Sequence, residues 1–345
     1  MKIDSIHNSD GGSPLDLDGS TSQLARRPRR RWITAALRWV IMLVVVFGVG
    51  RRIWLEKEKI SFYGLDLAWG WLLVSAACYL AGLAACAVFW WLAMRDRGRG
   101  PGWSRTLASY YAGHLGKYVP GKMLAVVIRA TMVGRSGVGI ATGAITCVHE
   151  ALLTMATGSL VAVASLLMVS IPHHKYWLLA SAVLAAGFGL LALPPIVTRL
   201  GRLAVRPFPN AVVDDKHSCR WRTFGAGTAM ITGGWLLMGL SLAAVMEAMH
   251  KLIGLISQWG FWKAYGLMTG LVALASVGGF VSLTPGGLGT REWILVETLG
   301  PVVGTGPSVV AVVLLRIVWI VAEVFASGLF WIIDRQWNQG KVHPS

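Results

Sequence analysis

Seven apolar runs dictate what this chain can fold into. They lie at about 33–50, 66–94, 138–170, 176–198, 223–248, 262–284 and 305–333. A helix rises about 1.5 Å per residue, so a run of about 18 apolar residues covers the roughly 30 Å hydrocarbon core of a bilayer. Backbone in lipid finds no water and must satisfy its own hydrogen bonds, as a helix or a closed barrel. A barrel would show short segments of alternating polarity instead of unbroken runs. The expected fold is all-α: a polytopic transmembrane helical bundle of 7–8 spans. The first run follows Arg-rich residues but no A-x-A cleavage site, and Arg51-Arg52 come next. It reads as a retained anchor, not a removed signal peptide.

The charges sit between the runs. Only 14% of residues are charged, against roughly 25% in soluble domains. The net charge of +16 is carried largely by three blocks, residues 1–31, 95–135 and 199–222, which hold twenty of the 32 Lys and Arg. The blocks fall at alternate ends of the runs, the positive-inside pattern, so all three are expected to face the cytoplasm, the amino terminus included. Topology and attraction to anionic headgroups account for the charge without nucleic acid as a partner. Three parts are expected: a disordered basic tail over 1–31, a membrane domain over 32–334 and a short tail over 335–345. Whether the spans number seven or eight, and where the carboxyl terminus lies, is left open by the pattern.

Two segments break the apolar rhythm. The first, "KYVPGKMLAVVIRA" (117–130), places Tyr118, Pro120 and Gly121 before Lys122 and Arg129. The second, "GGFVSLTPGGLGTREWILVETLG" (278–300), places Pro285, Gly286, Gly287 and Gly289 before Arg291 and Glu292. Pro removes an N–H and Gly admits unusual backbone angles, so both turns read as broken or re-entrant helices. Such breaks are tolerated at membrane depth only inside protein or beside water. Both segments read apolar, Pro-Gly, basic, a weak internal repeat of the kind that builds transporters from related halves. N–H groups freed at a helix start form an anion site. Lys122, Arg129 and Arg291 are the expected ligands of a lipid phosphate, for which the planar guanidinium fork is suited. A plain interfacial kink with snorkelling cations is the structural alternative.

Further ionisable residues fall inside the runs: Glu150 beside His149, and Arg316 and Glu323. The last two are seven apart and share one helix face. Charges at bilayer depth cost at least about 2.5 kcal/mol each on insertion scales, so each is expected to face the bundle interior with a partner. Glu150 is expected to pair with a cation of the first broken segment or to relay protons. His149 points off that face and reads as structural or interfacial, and His114 is a smaller candidate for headgroup contact. The tryptophans, among them Trp54, Trp69, Trp71, Trp90, Trp91, Trp331 and Trp337, read as interfacial belts. Gly266 and Gly270 form a small-residue packing pair. The four cysteines form no CxxC pair, so neither a disulfide framework nor a metal site is expected. No nucleophile elbow, Walker A or HExxH motif is present. No cofactor and no enzymatic activity are expected.

"YVPGK" followed by Arg129, "GV" at 137–138, Glu150 and "LTPGGLGTRE" together resemble the lysylphosphatidylglycerol synthase transmembrane region family, also called the flippase-like domain. The resemblance covers roughly residues 35–333. This chain has Leu124 and Ala125 where many members carry an acidic residue. The resemblance implies about eight helices, broken ones included, in the bacterial cytoplasmic membrane. It implies movement of an anionic or phosphate-bearing lipid between leaflets. Bifunctional members carry a separate aminoacyltransferase domain; this chain stops at Ser345, so it is not expected to make aminoacyl-lipid. Two functions follow as expectations: a translocase for an anionic, polyprenyl or phospholipid-type lipid, or a non-transporting scaffold for a membrane-bound lipid or glycan synthase.

Overall fold

A computed structural model describes residues 67–98, 100–118, 123–134, 136–169, 173–205, 219–282 and 284–339. The first apolar run, the basic tail, Trp54 and the turn residues Pro120, Gly121 and Lys122 lie outside the described residues. Among the described residues there are eleven α-helices and no strand. In chain order these are α1 (Trp69–Asp96), α2 (Trp103–Leu115), α3 (Met123–Gly134), α4 (Ile140–Met168), α5 (His174–Ala192), α6 (Pro194–Val205), α7 (Trp221–Ala248), α8 (Leu252–Trp259), α9 (Phe261–Val281), α10 (Thr290–Val303) and α11 (Thr305–Gln339). Six of them, α1, α4, α5, α7, α9 and α11, are long and apolar enough to cross a membrane. They fall on the last six of the seven runs.

Without a hydrophobic drive between helices in lipid, close association needs small residues that let backbones meet. The α1–α7 pair is built this way. A Cβ on Gly82 would sit 2.8 Å from the Gly234 carbonyl oxygen, so the two backbones touch. The pair is locked at both ends: Ala68 N–H donates to Ala248 O at 3.1 Å, and Arg220 N–H to Asp96 Oδ2 at 2.9 Å. The end of α1 and the start of α7 therefore share one face of the bundle, with Arg95, Arg97, Arg220 and Arg222 on it. Helix α6 starts on Pro194, whose missing N–H suits a first turn. Its Gly201 rests on Ile145, near the start of α4. Parts of the second and third basic blocks thus lie at one end of the molecule, here called the basic end.

The last helix closes the bundle at that same end. Asp334 of α11 pairs with Arg105 in the first turn of α2 at 3.0 Å. The end of α11 thus lies beside the start of α2, a point the charge pattern leaves open. Trp69, Trp71 and Trp331 are exposed to the surroundings of the bundle, whereas Trp90 is fully buried and so is no part of an interfacial belt. Trp90 stands in the wall of an internal charge cluster, with its indole N–H on Thr146 at 3.2 Å.

Candidate functional site

The first broken segment is a hairpin. Helix α2 leaves Arg105 and gives way, at Gly116–Tyr118, to a 3-10 turn. Lys117 is twelve residues beyond Arg105, so it lies about 18 Å along the axis from the basic end. The chain resumes in α3 and runs back beside α2, with Gly116 against Ala125 and Gly113 against the stem of Arg129. A Cβ on Gly113 would come within 2.4 Å of Arg129 Cγ, so the missing side chain is what admits the arginine.

The second broken segment is also a hairpin. Helix α9 ends at Val281, and Gly286, Gly287 and Gly289 follow with φ of +60°, +71° and +81°. These are angles that only glycine adopts at little cost. A Cβ on Gly287 would lie 2.9 Å from Gly279 Cα, so the turn folds flat against the helix it leaves. Helix α10 then starts with Glu292 at its third position, whose carboxylate accepts the Gly289 N–H at 2.6 Å. This is the acidic half of a capping box, and it explains why Glu follows Arg in "GTRE". Helix α10 returns antiparallel along α9, with Ile294 beside Gly278 and Arg291 beside Gly279.

The two turns meet. A Cβ on Gly286 would lie 3.4 Å from Lys117 O, 3.5 Å from Tyr118 Cδ1 and 3.7 Å from Arg316 Nη2. Helix α9, although long enough to cross, therefore ends against the tip of the first hairpin and not among the arginines of the basic end. Around this junction lie two sets of charges, the first buried and the second half-buried except for Glu323.

The first set centres on Arg129, 5% exposed, and Glu150, 4% exposed. Arg129 Nη1 donates to Glu150 Oε2 at 2.8 Å, and Nη2 to His114 Nδ1 at 2.8 Å. Since the guanidinium can only donate, Nδ1 accepts and the imidazole proton sits on Nε2. The contact of Nδ1 with Tyr110 O at 3.3 Å is then not a hydrogen bond. Tyr110 OH and Thr154 Oγ1 donate to Glu150 Oε1 at 3.0 and 3.2 Å. The Arg129 guanidinium lies 3.9 Å above the Tyr110 ring. One cation and one anion cancel, and both oxygens of the carboxylate are taken.

The second set lies at the junction. Lys117 Nζ meets Glu323 Oε1 at 2.5 Å, and Tyr79 OH donates to the same oxygen. The Tyr79 ring stacks on Trp319 with centroids 4.2 Å apart, and Trp319 donates to Ser241 Oγ at 2.9 Å. Arg316 reaches Glu292 Oε1 at 3.4 Å, in ion-pair range but without hydrogen-bond geometry. Lys117 Nζ and Arg316 Cζ lie 5.1 and 5.3 Å from the Tyr118 ring. Arg291 is within electrostatic reach of Arg316, Glu292, Tyr79 and Tyr118. Among the described residues, three cations here face two carboxylates. Arg291 Nε, Arg316 Nε and Nη2, Tyr118 OH and Glu323 Oε2 are all buried without a hydrogen-bond partner among the described residues.

Of the residues singled out from sequence, Arg291, Glu292, Arg316, Glu323, Tyr118, Gly286 and Gly287 come together at the junction. Arg129 and Glu150 form the neighbouring set, and His114 stands between the two, within electrostatic reach of Arg129, Lys117 and Arg291. Gly289 serves as the cap of α10; only the backbone of Pro285 is described. Lys117 and Tyr79, absent from the expected site, are central to it. The i, i+4 pair Tyr110 and His114 carried a readable signal, one face of α2; a lone tyrosine such as Tyr79 in an apolar run carried none. His149 takes the structural alternative: it is fully buried, with Nε2 on Ala192 O at 2.9 Å. It packs edge-on to Phe89, on the side of α4 away from Glu150.

Other places carry less chemistry. A hollow of about 410 Å³ at the basic end, lined by Leu92, Arg95, Asp96, Gly98 and Arg220, shares no residue with either charge set. Burial pushes the Cys219 thiol up to about 11, too high for a thiolate nucleophile at neutral pH.

Packed apolar helices around two meeting hairpins define a multi-pass helical membrane protein. Its family is the lysylphosphatidylglycerol synthase TM region, which matches residues 40–325, and the chain belongs to that family. No curated protein and no solved structure matches the chain.

Proposed function

We propose that this chain binds an anionic or phosphate-bearing lipid, of the phospholipid or polyprenyl type, and moves it across the bacterial cytoplasmic membrane, with the basic end facing the cytoplasm. The observation that carries this reading is the meeting of the two broken turns deep in the helical bundle, with more cations than carboxylates around them among the described residues. A charged headgroup in hydrocarbon is prohibitively unfavourable unless it is paired. A junction of fixed, unsatisfied N–H groups at that depth supplies the pairing while the tails stay in lipid. Family membership supports a role in lipid handling. No catalytic step is assigned, and the partner is the lipid itself.

The test is reconstitution of the full chain in liposomes with phosphatidylglycerol carrying a dithionite-sensitive fluorophore. The expected result is bleaching beyond the outer-leaflet half within minutes, slowed at least tenfold by Arg291→Gln, a change of about 1.4 kcal/mol in barrier. If wild-type vesicles bleach no further than empty ones, the translocase reading fails. A lipid or glycan synthase co-purifying in that case supports the scaffold instead.

A further inference from the structure

We propose that α6 is an interfacial helix that docks on the negatively charged surface of the leaflet at the basic end, with Leu200 and Leu203 among the acyl chains and Arg199 and Arg202 among the anionic headgroups. The partner is a charged lipid surface, recognised by charge alone and apart from any lipid that the junction moves.

Helix α6 carries three stripes. At about 3.6 residues per turn, Pro194, Val197 and Gly201 share one side, and that side is buried. Ile196, Leu200 and Leu203 form the adjoining side, where Leu200 is 46% and Leu203 53% exposed. Arg199 and Arg202 lie on the side away from both, and both are exposed. An apolar face backed by arginines is the pattern of a helix that lies in the plane of the interface.

The packing puts α6 at the matching depth. His149 Nε2 donates to Ala192 O, so the end of α5 is level with His149, nine residues into α4. That is about 13 Å inside the start of α4. Gly201 rests on Ile145, five residues into α4, or about 8 Å inside its start. A helix that continued along the axis would advance about 13 Å from residue 192 to residue 201. The chain advances less than half of that, so α6 runs more across the bundle than along it. It lies on the shoulder of the bundle, within the roughly 5–10 Å over which an interfacial helix sinks its apolar face.

Charge complementarity selects the occupant. Acyl chains cover Leu200 and Leu203 while the arginines reach headgroup oxygens above them. A soluble acidic partner would cover the arginines and leave the leucines bare. A second copy seated on the same face would set arginines against arginines.

The experiment is photo-crosslinking of the full chain in liposomes, with benzoylphenylalanine in place of the exposed Leu203 and adducts read by mass spectrometry. One set of vesicles holds equal phosphatidylcholine and phosphatidylglycerol, another equal phosphatidylcholine and phosphatidylserine. In both, the adduct is lipid, and the anionic lipid is enriched about fivefold over its bulk share, the attraction of one arginine to such a surface. Arg199→Gln/Arg202→Gln brings the adducts back toward the bulk ratio. Salt at about 1 M, where the Debye length is about 3 Å, does the same without any substitution in α6's basic stripe. The proposal is overturned if Leu203 gives no lipid adduct or a crosslink to a second copy, or if the enrichment survives both the double variant and the salt. Enrichment of phosphatidylglycerol without phosphatidylserine overturns it too, since charge is then not what is read. Enrichment of both lipids in vesicles that show no lipid movement supports the dock and overturns the translocase reading alone.

Discussion

The Arg129–Glu150 set and the Lys117–Arg291–Arg316 set lie close together and are built from the same parts: arginines, carboxylates and tyrosines whose rings face guanidinium groups. They differ in closure. Glu150 has both oxygens filled, and Arg129 leaves only its Nε unpartnered. At the junction, five buried polar atoms lack partners and the charges do not cancel. Saturated pairs at depth hold helices together; the unsaturated set is the one the proposed function assigns to a lipid headgroup. The closed set ties α2, α3 and α4 into a fixed hairpin, and the open set lies where that hairpin's tip meets the other.

The sharpest way to break the comparison is to strand one charge of the closed set. Glu150→Leu leaves Arg129 buried without its anion and should destabilise the protein by about 3–5 kcal/mol, measured by denaturant unfolding in mild detergent. The double variant Arg129→Met/Glu150→Leu should recover most of that loss, since a buried pair replaced by apolar groups of similar size is often neutral. If the double variant still folds and moves lipid, the closed set is confirmed as scaffold. If it folds and no longer moves lipid, the division between the two sets is wrong.

A smaller change probes the same set through space alone. Gly113→Ala places a methyl group where Arg129 Cγ now lies, and should destabilise by about 1–3 kcal/mol. At the junction, Glu323→Gln removes the anion facing Lys117 while keeping the shape. It should change stability by less than Glu150→Leu, because Lys117 is 21% exposed and Glu150 is enclosed with its arginine. An unfolding midpoint lowered as far as in Glu150→Leu would erase the contrast. The smallest expected effect is Asp334→Asn at the basic end, where the partner Arg105 is 22% exposed. Loss of this pair should cost about 1 kcal/mol or less and leave lipid movement unchanged.

Much of this architecture was readable before any coordinates. The six described spans fall on apolar runs because length and hydropathy suffice to specify a helix in lipid. The second broken turn was legible because Pro285-Gly286-Gly287 interrupts a run that otherwise has no reason to stop; Pro120-Gly121 lie outside the described residues. Glu150, Arg316 and Glu323 stood out because an ionisable residue in hydrocarbon demands a partner. The partners were not legible. Arg129 could have faced Arg291 or Glu150, and nothing along the chain distinguishes these. Trp90 carried the same signal as Trp91 and differs only in which side of α1 it occupies. Tyr79 bonds a carboxylate 244 residues away, a relation that no local spacing encodes.

What the chain determined by itself is where it must be helical, where it must break and which end gathers positive charge, because each depends on residues adjacent in sequence and on the solvent around them. Tertiary structure alone decided that the two breaks touch, that Arg129 is spoken for by Glu150, and that Arg291 and Arg316 are left with N–H groups to offer. Those outcomes depend on how helices far apart in the chain pack. A buried charge needs a partner, and packing geometry, not sequence spacing, chooses which one it gets.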